Sequence, residues 1–510
     1  MDHSYERRLC PSPVELFREM SLEQQSRSIG VITAHERWRW FCFAVLLTGV
    51  FLSPLDFFIV NIALPAIKEE FGATSSDLQL VVSGYMTTYA VFLITGGRLG
   101  DIFGRRKIFL AGLACFGGAS AICGLATYSS VLVVGRILQG LGAALMVPQG
   151  LASINVIFAP EEKSIALGLY GATLGLAAAS GQILGGFLVS ADVFGLGWRI
   201  VFLVNLPIAA VVLISGLLLP DASNPRPPQL DIFGVLLSAL TLTLVVTPLI
   251  EGRERGWPLW SLLLLMAAPI AGSLFLRNEN KLLQNGGTPL FDPRVMGLPS
   301  FGLGLLAAFF FYAIGSFFLI FSIYLQTALG ESPRGAAFVF LPFGVGSFLA
   351  PLLSPYAGRM LGQRTAPVGI VLETIGMLSL TLVVWNWRTD QSLDHALRGL
   401  SLFAIGFGQG TALPSLVRGI IGKVEPAWSG LVSGIINTTL QISSALSIGI
   451  VGGLFFGIAG REPVAENILF ALVVSLLAIA CCLVIATLAT VALTQTTLVE
   501  RRTPTAKKMH

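Results

Sequence analysis

The sequence predicts an all-α integral membrane protein with fourteen transmembrane helices. Of its 510 residues, 54% are hydrophobic and only 12% are charged, whereas a soluble domain carries roughly 25% charged residues. Apolar runs of helical length recur along the whole chain, and lysine and arginine concentrate in alternate connections between these runs. Together these observations place the chain in a lipid bilayer rather than in water.

Fourteen apolar runs are each near or above the ~20 residues that cross the hydrocarbon core of a bilayer. In chain order they cover residues 41–66, 78–97, 107–127, 131–156, 164–190, 199–219, 232–250, 258–276, 301–326, 335–357, 366–387, 397–420, 428–457 and 468–494. The predicted organisation is an N-terminal tail at 1–40, a six-helix bundle at 41–219, a linker with two inserted membrane helices at 220–300, a second six-helix bundle at 301–494 and a C-terminal tail at 495–510.

The distribution of cations predicts the orientation of the chain. Lysines and arginines crowd the N-terminal tail and the connections after even-numbered runs, including Arg98, Arg105, Arg106, Lys107, Arg277, Lys281, Arg359 and Arg364. Such residues accumulate on the cytoplasmic side, so both termini are predicted to be cytoplasmic. The predicted location is the cell membrane, the inner membrane of a bacterium. The net charge of +4 is dispersed over these connections, which argues against nucleic acid as a partner.

Composition also argues against a metal centre, a cofactor and an enzyme. The six cysteines show no metal-ligand spacing, and none of the four histidines lies in a predicted span. A membrane enzyme would need a polar catalytic cluster, and a sensor would need a sizeable soluble domain. No such cluster and no connection long enough for such a domain is present in the sequence.

The connection between the second and third runs is the most informative segment. It reads Gly97-Arg98-Leu99-Gly100-Asp101-Ile102-Phe103-Gly104-Arg105-Arg106-Lys107. An ordinary basic loop explains the three final cations but not the Gly-Arg-x-Gly-Asp spacing before them. A shortened copy without the acid, residues 357–364, joins the tenth and eleventh runs. The copy predicts two homologous six-helix halves, with chance repetition of a short Gly/Arg loop as the alternative.

Two ionisable residues of opposite charge are predicted to lie inside the membrane at compatible depths. By the helical rise, Asp56 lies ~14 Å and Arg136 ~8–9 Å below the outer surface on antiparallel helices. A charge in hydrocarbon is costly and therefore marks a function. Asp56 is predicted to carry a proton, with Arg136 as its partner; a static ion pair that orients two helices is the alternative.

Further polar and small residues complete the set of candidates. Glu373, the only acid deep in the second half, is either a second proton or cation site or an interhelical hydrogen-bonding group. In the fifth run, Gly181, Gln182, Gly185 and Gly186 form a small-residue face, predicted to close a periplasmic gate, with plain packing as the alternative. The candidate lining of a substrate cavity consists of Asn61, Gln139, Tyr324, Gln326, Asn437 and Gln441.

From residue 41 to about residue 493, the chain resembles the fourteen-span drug:proton antiporter branch of the major facilitator superfamily. The matching pieces are Asp56 to Asn61 with Pro65, the connection Gly97–Lys107, Arg136 with Gln139 and Gly140, Gly181 with Gly185 and Gly186, Trp198 to Pro207 including Asn205, and Tyr324 to Gln326. The resemblance implies the major facilitator fold and proton-driven export of lipophilic compounds by alternating access, and it associates the fifth-helix glycines with antiport. Gln182 departs from this pattern, since the family usually has proline there.

The leading hypothesis is therefore a proton-coupled antiporter that exports lipophilic drug-like compounds or secondary metabolites. An uptake symporter for a small nutrient is the alternative in the same fold. The expected partners are a small lipophilic substrate, protons and the bilayer, and a periplasmic adaptor stays open. The segment from Val14 to Met20 is either a short interfacial helix or disordered.

Overall fold

The computed structural model describes residues 36–220, 231–287, 289–290, 299–386, 391–421, 429–460 and 464–502. Within these ranges the chain contains helices and no strands, and fourteen helices are long and apolar enough to cross a membrane. The predicted fold class, an all-α multi-pass membrane protein, is confirmed. The predicted N-terminal tail up to residue 35, with its Val14–Met20 segment, lies outside the described residues.

We number the membrane helices α1 to α14 in chain order. Eleven of them have one uninterrupted range: α1 is Glu36–Phe71, α2 Ser75–Phe103, α3 Arg105–Gly124, α4 Ser129–Ile157, α5 Pro160–Ala191, α7 Ile232–Glu254, α8 Leu259–Gln284, α10 Pro333–Leu361, α11 Thr365–Trp385, α12 Gln391–Ile421 and α14 Ala465–Arg502. Three are assembled from consecutive pieces: α6 from Gly197–Arg199, Ile200–Leu203 and Asn205–Gly216, α9 from Pro299–Phe311, Tyr312–Ile314, Gly315–Ile323 and Tyr324–Ala328, and α13 from Ser429–Ser447, Ile448–Gly452 and Gly453–Ala459.

The signature connection is reduced to a single residue between two helices. Gly104 ends α2 and precedes α3 with φ 96°, a backbone conformation that residues with a side chain rarely adopt. In the second half, Gly362 occupies the corresponding position between α10 and α11, also with a positive φ, of 56°. We call the end of the bundle that carries Gly104 the link end, and the opposite end the far end.

The same pairs of helices pack together in both six-helix halves. In the first half α2 packs on α4 and α3 on α4; in the second, α10 packs on α12 and α11 on α12. The contacts between halves are also related in pairs, because α5 packs on α10 and α13 packs on α2. This correspondence is the structural counterpart of the repeated connection seen in the sequence. The inserted helices α7 and α8 pack on each other, and α7 borders both α2 and α13.

Irregular turns interrupt two neighbouring helices of the second half, α9 and α13. α9 contains a 3₁₀ turn at Tyr312–Ile314 and a π turn at Tyr324–Ala328, and α13 contains a π turn at Ile448–Gly452. Such turns leave backbone carbonyl groups without their usual partners. Two α13 hydroxyl groups compensate, since Ser443 donates to the carbonyl of Phe309 and Ser447 donates to that of Ala313.

Aromatic and polar contacts close the far end between the halves. Phe58 of α1 meets Phe318 of α9 edge to face at 4.6 Å between ring centres. Ser322 Oγ donates to the carbonyl of Asn61 at 2.9 Å. Between α5 and α10, the backbone N–H of Arg334 donates to Ser190 Oγ at 3.0 Å. The described conformation is therefore closed at the far end.

Candidate functional site

Asp56 on α1 and Arg136 on α4 form a completely buried ion pair. Both side chains are 0% exposed, and Arg136 Nη1 donates a hydrogen bond to Asp56 Oδ2. Arg136 Nε donates to the carbonyl of Val81 on α2 at 2.8 Å, and the guanidinium carbon lies 4.5 Å from the centre of the Tyr85 ring. The buried cation is therefore compensated by a carboxylate, a carbonyl and an aromatic face.

The second oxygen of Asp56 is held by two side-chain amides. Gln139 Nε2 donates to Asp56 Oδ1 at 2.9 Å, and Asn205 Nδ2 donates to the same oxygen at 2.8 Å. Both amides also approach Ser120 Oγ on α3, at 2.8 and 3.5 Å respectively. We call Asp56, Ser120, Arg136, Gln139 and Asn205 the carboxylate cluster; its members come from α1, α3, α4 and α6.

Hydrogen-bonding capacity fixes the direction of both amides. Ser120 Oγ donates its proton to the carbonyl of Phe116 at 2.8 Å, so towards the amides it can only accept. Gln139 Oε1 accepts from Arg136 Nη1 at 2.9 Å, and a guanidinium can only donate. The N–H ends of Gln139 and Asn205 must consequently face Ser120 and the Asp56 carboxylate.

Such an arrangement can exist in two protonation states. A buried ion pair adds little net stability, yet removing one partner's charge leaves the other unpaired at high cost. A proton on Asp56 therefore weakens its hold on Arg136, and separation of the two helices favours protonation. The chemistry available here is reversible proton binding coupled to the α1–α4 contact.

Glu373 on α11 lies in a different environment. The side chain is 0% exposed, and neither carboxylate oxygen has a hydrogen-bond partner among the described residues. Gly408 of α12 packs against the backbone of Glu373, so that a methyl group on this glycine would lie 2.6 Å from the Glu373 amide nitrogen. The described part of the chain contains no group of three His, Cys, Asp or Glu side chains that could hold a metal ion.

The glycines of α5 lie on two contact faces. A methyl group on Gly181 would lie 2.7 Å from Phe58 Cβ, and one on Gly185 would lie 2.9 Å from the carbonyl oxygen of Ile59, both on α1. Gly186 instead packs against Pro333 and Ala337 of α10 in the other half. The same short segment thus joins the helix of Asp56 to the far-end contact between the halves.

The connection at the link end is held by short-range polar contacts. Asp101 and Arg105 form an ion pair at 3.2 Å, and Arg105 also donates to the carbonyl of Ala152 on α4 at 2.6 Å. Gly100 packs directly on the side chain of Gln149. Arg98 donates to the carbonyl of Pro289, which follows the inserted helices. Of the other candidates in this connection, Gly97 packs against Pro148, and Arg106 is partly buried at the start of α3.

The candidate lining residues do not form one group. Gln139 belongs to the carboxylate cluster, and Gln326 joins the halves by donating to the carbonyl of Ile62 at 3.1 Å. Asn61 is buried and donates to Phe57 of its own helix at 2.8 Å. The other three lie on α9 and α13: Tyr324, which is buried, and Asn437 and Gln441, which are partly buried.

Sequence reasoning missed Ser120 and Tyr85 and did not place Asn205 beside Asp56. Asn205 carried a signal, since it lies in the Trp198–Pro207 segment that matches the family pattern and would be an amide within a membrane helix. Ser120 carried none, because a lone serine in an apolar helix usually bonds to its own backbone.

Comparison with known proteins identifies the family. Residues 46–448 match the sequence profile of the Major Facilitator Superfamily. The chain is a member of the major facilitator superfamily. Members of this superfamily are transporters, and the protein is a multi-pass membrane transporter rather than an enzyme.

The similar proteins span most of the chain. The probable actinorhodin transporter of Streptomyces coelicolor is 34% identical over 84% of this chain and 74% of its own length. The tetracenomycin C resistance and export protein of Streptomyces glaucescens is 32% identical over 81% of this chain and 76% of its own length. Among solved structures, an inward-facing, unoccupied bacterial homologue of the human lysosomal transporter Spinster superposes with a TM-score of 0.65. It is 16% identical and covers 92% of this chain and all of its own, so it supports the fold alone.

Proposed function

We propose that this transporter exports a lipophilic small molecule, such as a drug or a secondary metabolite, in exchange for protons. The observation that carries the proposal is the completely buried Asp56–Arg136 pair, held between two helices by uncharged amides. Similarity to proteins named for actinorhodin transport and for tetracenomycin C resistance and export supports the outward direction and the substrate class.

Proton binding at Asp56 is coupled to conformation through Arg136. The ionised carboxylate holds Arg136 and fixes α1 against α4. Protonation removes the charge that Arg136 compensates and leaves the guanidinium buried without its partner, which disfavours the paired arrangement of the two helices. A proton gradient can then shift the population between inward- and outward-open states.

Glu373 is proposed as a second proton site in the other half. It is completely buried, and its oxygens lack hydrogen-bond partners among the described residues. The neutral acid is therefore the form that this environment tolerates, and the charge becomes acceptable only when water or a cationic substrate reaches it.

The gate is proposed to lie where α5 meets α1 and α10. Gly181 and Gly185 allow α1 to approach, and Gly186 allows α10 to approach. A change at Asp56 is therefore proposed to reach the contact between the halves through glycines, which have no side chain that could absorb the movement. The signature residues Gly97, Arg98, Gly100, Asp101, Gly104, Arg105 and Arg106 are proposed to stabilise the link end of each state.

The orientation follows from the positive charges at the link end, which we propose is cytoplasmic, as are both termini. The membrane is proposed to be the bacterial inner membrane, with residues 41–219 and 301–494 as the two moving halves and 220–300 as the inserted linker. A periplasmic adaptor stays a candidate partner.

Proton flux in proteoliposomes tests the proposal. Vesicles with an acidic interior are challenged with a panel of lipophilic compounds, for the unmodified protein and for Asp56→Asn. Collapse of the gradient triggered by a compound in the former and lost in the latter is expected. Collapse that survives Asp56→Asn would make Asp56 structural and shift the proton path to Glu373. Accumulation of a small nutrient with inward proton flow would indicate an uptake symporter instead.

A further inference from the structure

The two oxygens of Asp56 have different partners. Oδ2 accepts from the guanidinium of Arg136, whereas Oδ1 accepts from the amides of Gln139 and Asn205. The Asn205 carbonyl oxygen, Oδ1, is buried and has no hydrogen-bond partner among the described residues. Asn205 therefore acts on the carboxylate through its N–H end alone.

Ser120 fixes the orientation of the two amides and thereby keeps the partners of the two oxygens different. Its hydroxyl proton is committed to the carbonyl of Phe116, so its lone pairs accept from the amide N–H groups of Gln139 and Asn205. A rotation of either amide by half a turn would set a carbonyl oxygen against both Ser120 Oγ and the carboxylate. When Arg136 withdraws, Oδ1 stays solvated by amides, and Oδ2 is the oxygen left to take the proton.

We propose that Asn205, oriented by Ser120, is a positioning residue that directs the proton to Oδ2 of Asp56 and sets the pH at which the exchange occurs. This inference rests on the proposed proton coupling. It extends that proposal by naming the uncharged residue that tunes the carrier.

Other groups around Asp56 also influence the pH at which it binds a proton. The charged and titratable groups that face it are Arg136 on α4, Tyr85 on α2 and Cys123 on α3. Two further helices pack on α1 near Asp56, and the residues that they contribute there are not titratable: Gly181 from α5 and Phe318 from α9. These groups are unchanged when one amide donor is removed, so the removal changes only the stabilisation of the Asp56 anion by that amide.

Asn205→Leu removes a hydrogen bond to the anion and keeps the branched shape and the number of side-chain heavy atoms. Hydrogen bonds to charged groups are strong enough that the midpoint of Asp56 protonation is expected to rise by about one pH unit. The Asn205 N–H also donates to Oδ1 of the protonated acid, but this bond to a neutral group is weaker than the bond to the anion, so its loss does not reverse the sign. Ser120→Ala releases the amides and is expected to cause a smaller rise.

Infrared titration of the carboxyl C=O band of the purified protein measures this midpoint without substrate or gradient. The Asp56 band is assigned as the one that Asp56→Asn removes. Gln79→Leu is the matched control, since Gln79 is an equally buried amide of α2 outside the carboxylate cluster. The inference is supported if Asn205→Leu and Ser120→Ala raise the midpoint while Gln79→Leu leaves it unchanged.

Two results would overturn the inference. The first is an Asp56 midpoint that neither variant moves, or that the control moves equally. The second is an Asp56 carboxyl that never titrates in the folded protein. Where Asn205→Leu does not fold, Ser120→Ala decides. A shifted midpoint in a protein that shows no compound-triggered proton flux would refute the antiport proposal and leave the role of Asn205 standing.

Discussion

Arg98 donates a hydrogen bond to the backbone carbonyl of Pro289, 191 residues further along the chain. This contact ties the signature connection at the link end to the segment that follows the inserted helices. Glu279 on α8 and Asp231 at the start of α7 also act electrostatically on Arg98. Arg98 thereby links the signature connection to the region of the inserted pair. Because α7 borders both α2 and α13, this pair lies beside the contact between the halves.

Arg98→Ala is expected to slow transport strongly while the protein still reaches the membrane, because it detaches the inserted pair from the connection. Lys107→Ala is the matched control, since this exposed cation lies in the same connection and is not among the residues proposed to stabilise the link end. Transport rates in proteoliposomes, normalised to the amount of folded protein, make the comparison. Equal losses in both variants would contradict a specific role for the Arg98–Pro289 contact.

Gly181→Ala is expected to destabilise the protein by about 1–3 kcal/mol, the usual cost of an overpacked contact. Its methyl group would lie 2.7 Å from Phe58 Cβ and 2.8 Å from the carbonyl oxygen of Leu55. Gly171→Ala, on the same helix, meets nothing within 4 Å and is expected to be neutral or slightly stabilising. Thermal unfolding of the two purified variants compares them; a similar effect of both would exclude close packing as the reason for Gly181.

Arg136→Leu is expected to cost about 3–5 kcal/mol of stability, because it leaves the Asp56 carboxylate buried without its cation. The double variant Asp56→Leu with Arg136→Leu is expected to be more stable than Arg136→Leu alone, since neither charge remains. Thermal unfolding of the single and double variants measures this coupling. Additive losses would show that the two side chains do not stabilise each other.

Gln182→Leu is expected to leave stability unchanged or to raise it by about 1–3 kcal/mol. Gln182 is buried, and neither of its side-chain polar atoms has a hydrogen-bond partner among the described residues. Gln149→Leu is the contrasting variant, since Gln149 Nε2 donates to the carbonyl of Gly96 at 2.8 Å, and its loss is expected to destabilise. A clear loss of thermal stability in Gln182→Leu would show that the amide has a partner in the folded protein.

The number of membrane helices and the approximate limits of each were predictable, because a membrane span can be recognised from its length and apolar composition alone. Two helices extend beyond the predicted apolar runs: α1 begins at Glu36, before residue 41, and α14 continues to Arg502, beyond residue 494. The 3₁₀ turn in α9 was not predictable, because the carbonyl groups beside it accept hydrogen bonds from hydroxyl groups of a neighbouring helix.

Within the site, a contact between Asp56 and Arg136 was predictable, because the cost of an isolated charge in lipid demands a partner and helical rise gives the depth of each. The partners of Asp56 Oδ1 were not predictable. From the sequence, Gln139 is a candidate for the substrate cavity, whereas the structure places it on Asp56, and Asn205 lies on a helix whose rotation the sequence does not specify.

By itself, the sequence determined the membrane location, the fourteen spans, the repeated halves and the two opposite charges inside the bilayer. Each of these follows from the one-dimensional pattern of apolarity and charge. Only the tertiary structure decided which amides face the carboxylate, which helix each α5 glycine contacts, and that Arg98 reaches the inserted pair. These relations depend on the rotation and packing of helices that are far apart in the chain, and an apolar helix surrounded by lipid and other helices carries little amphipathic pattern to fix its rotation.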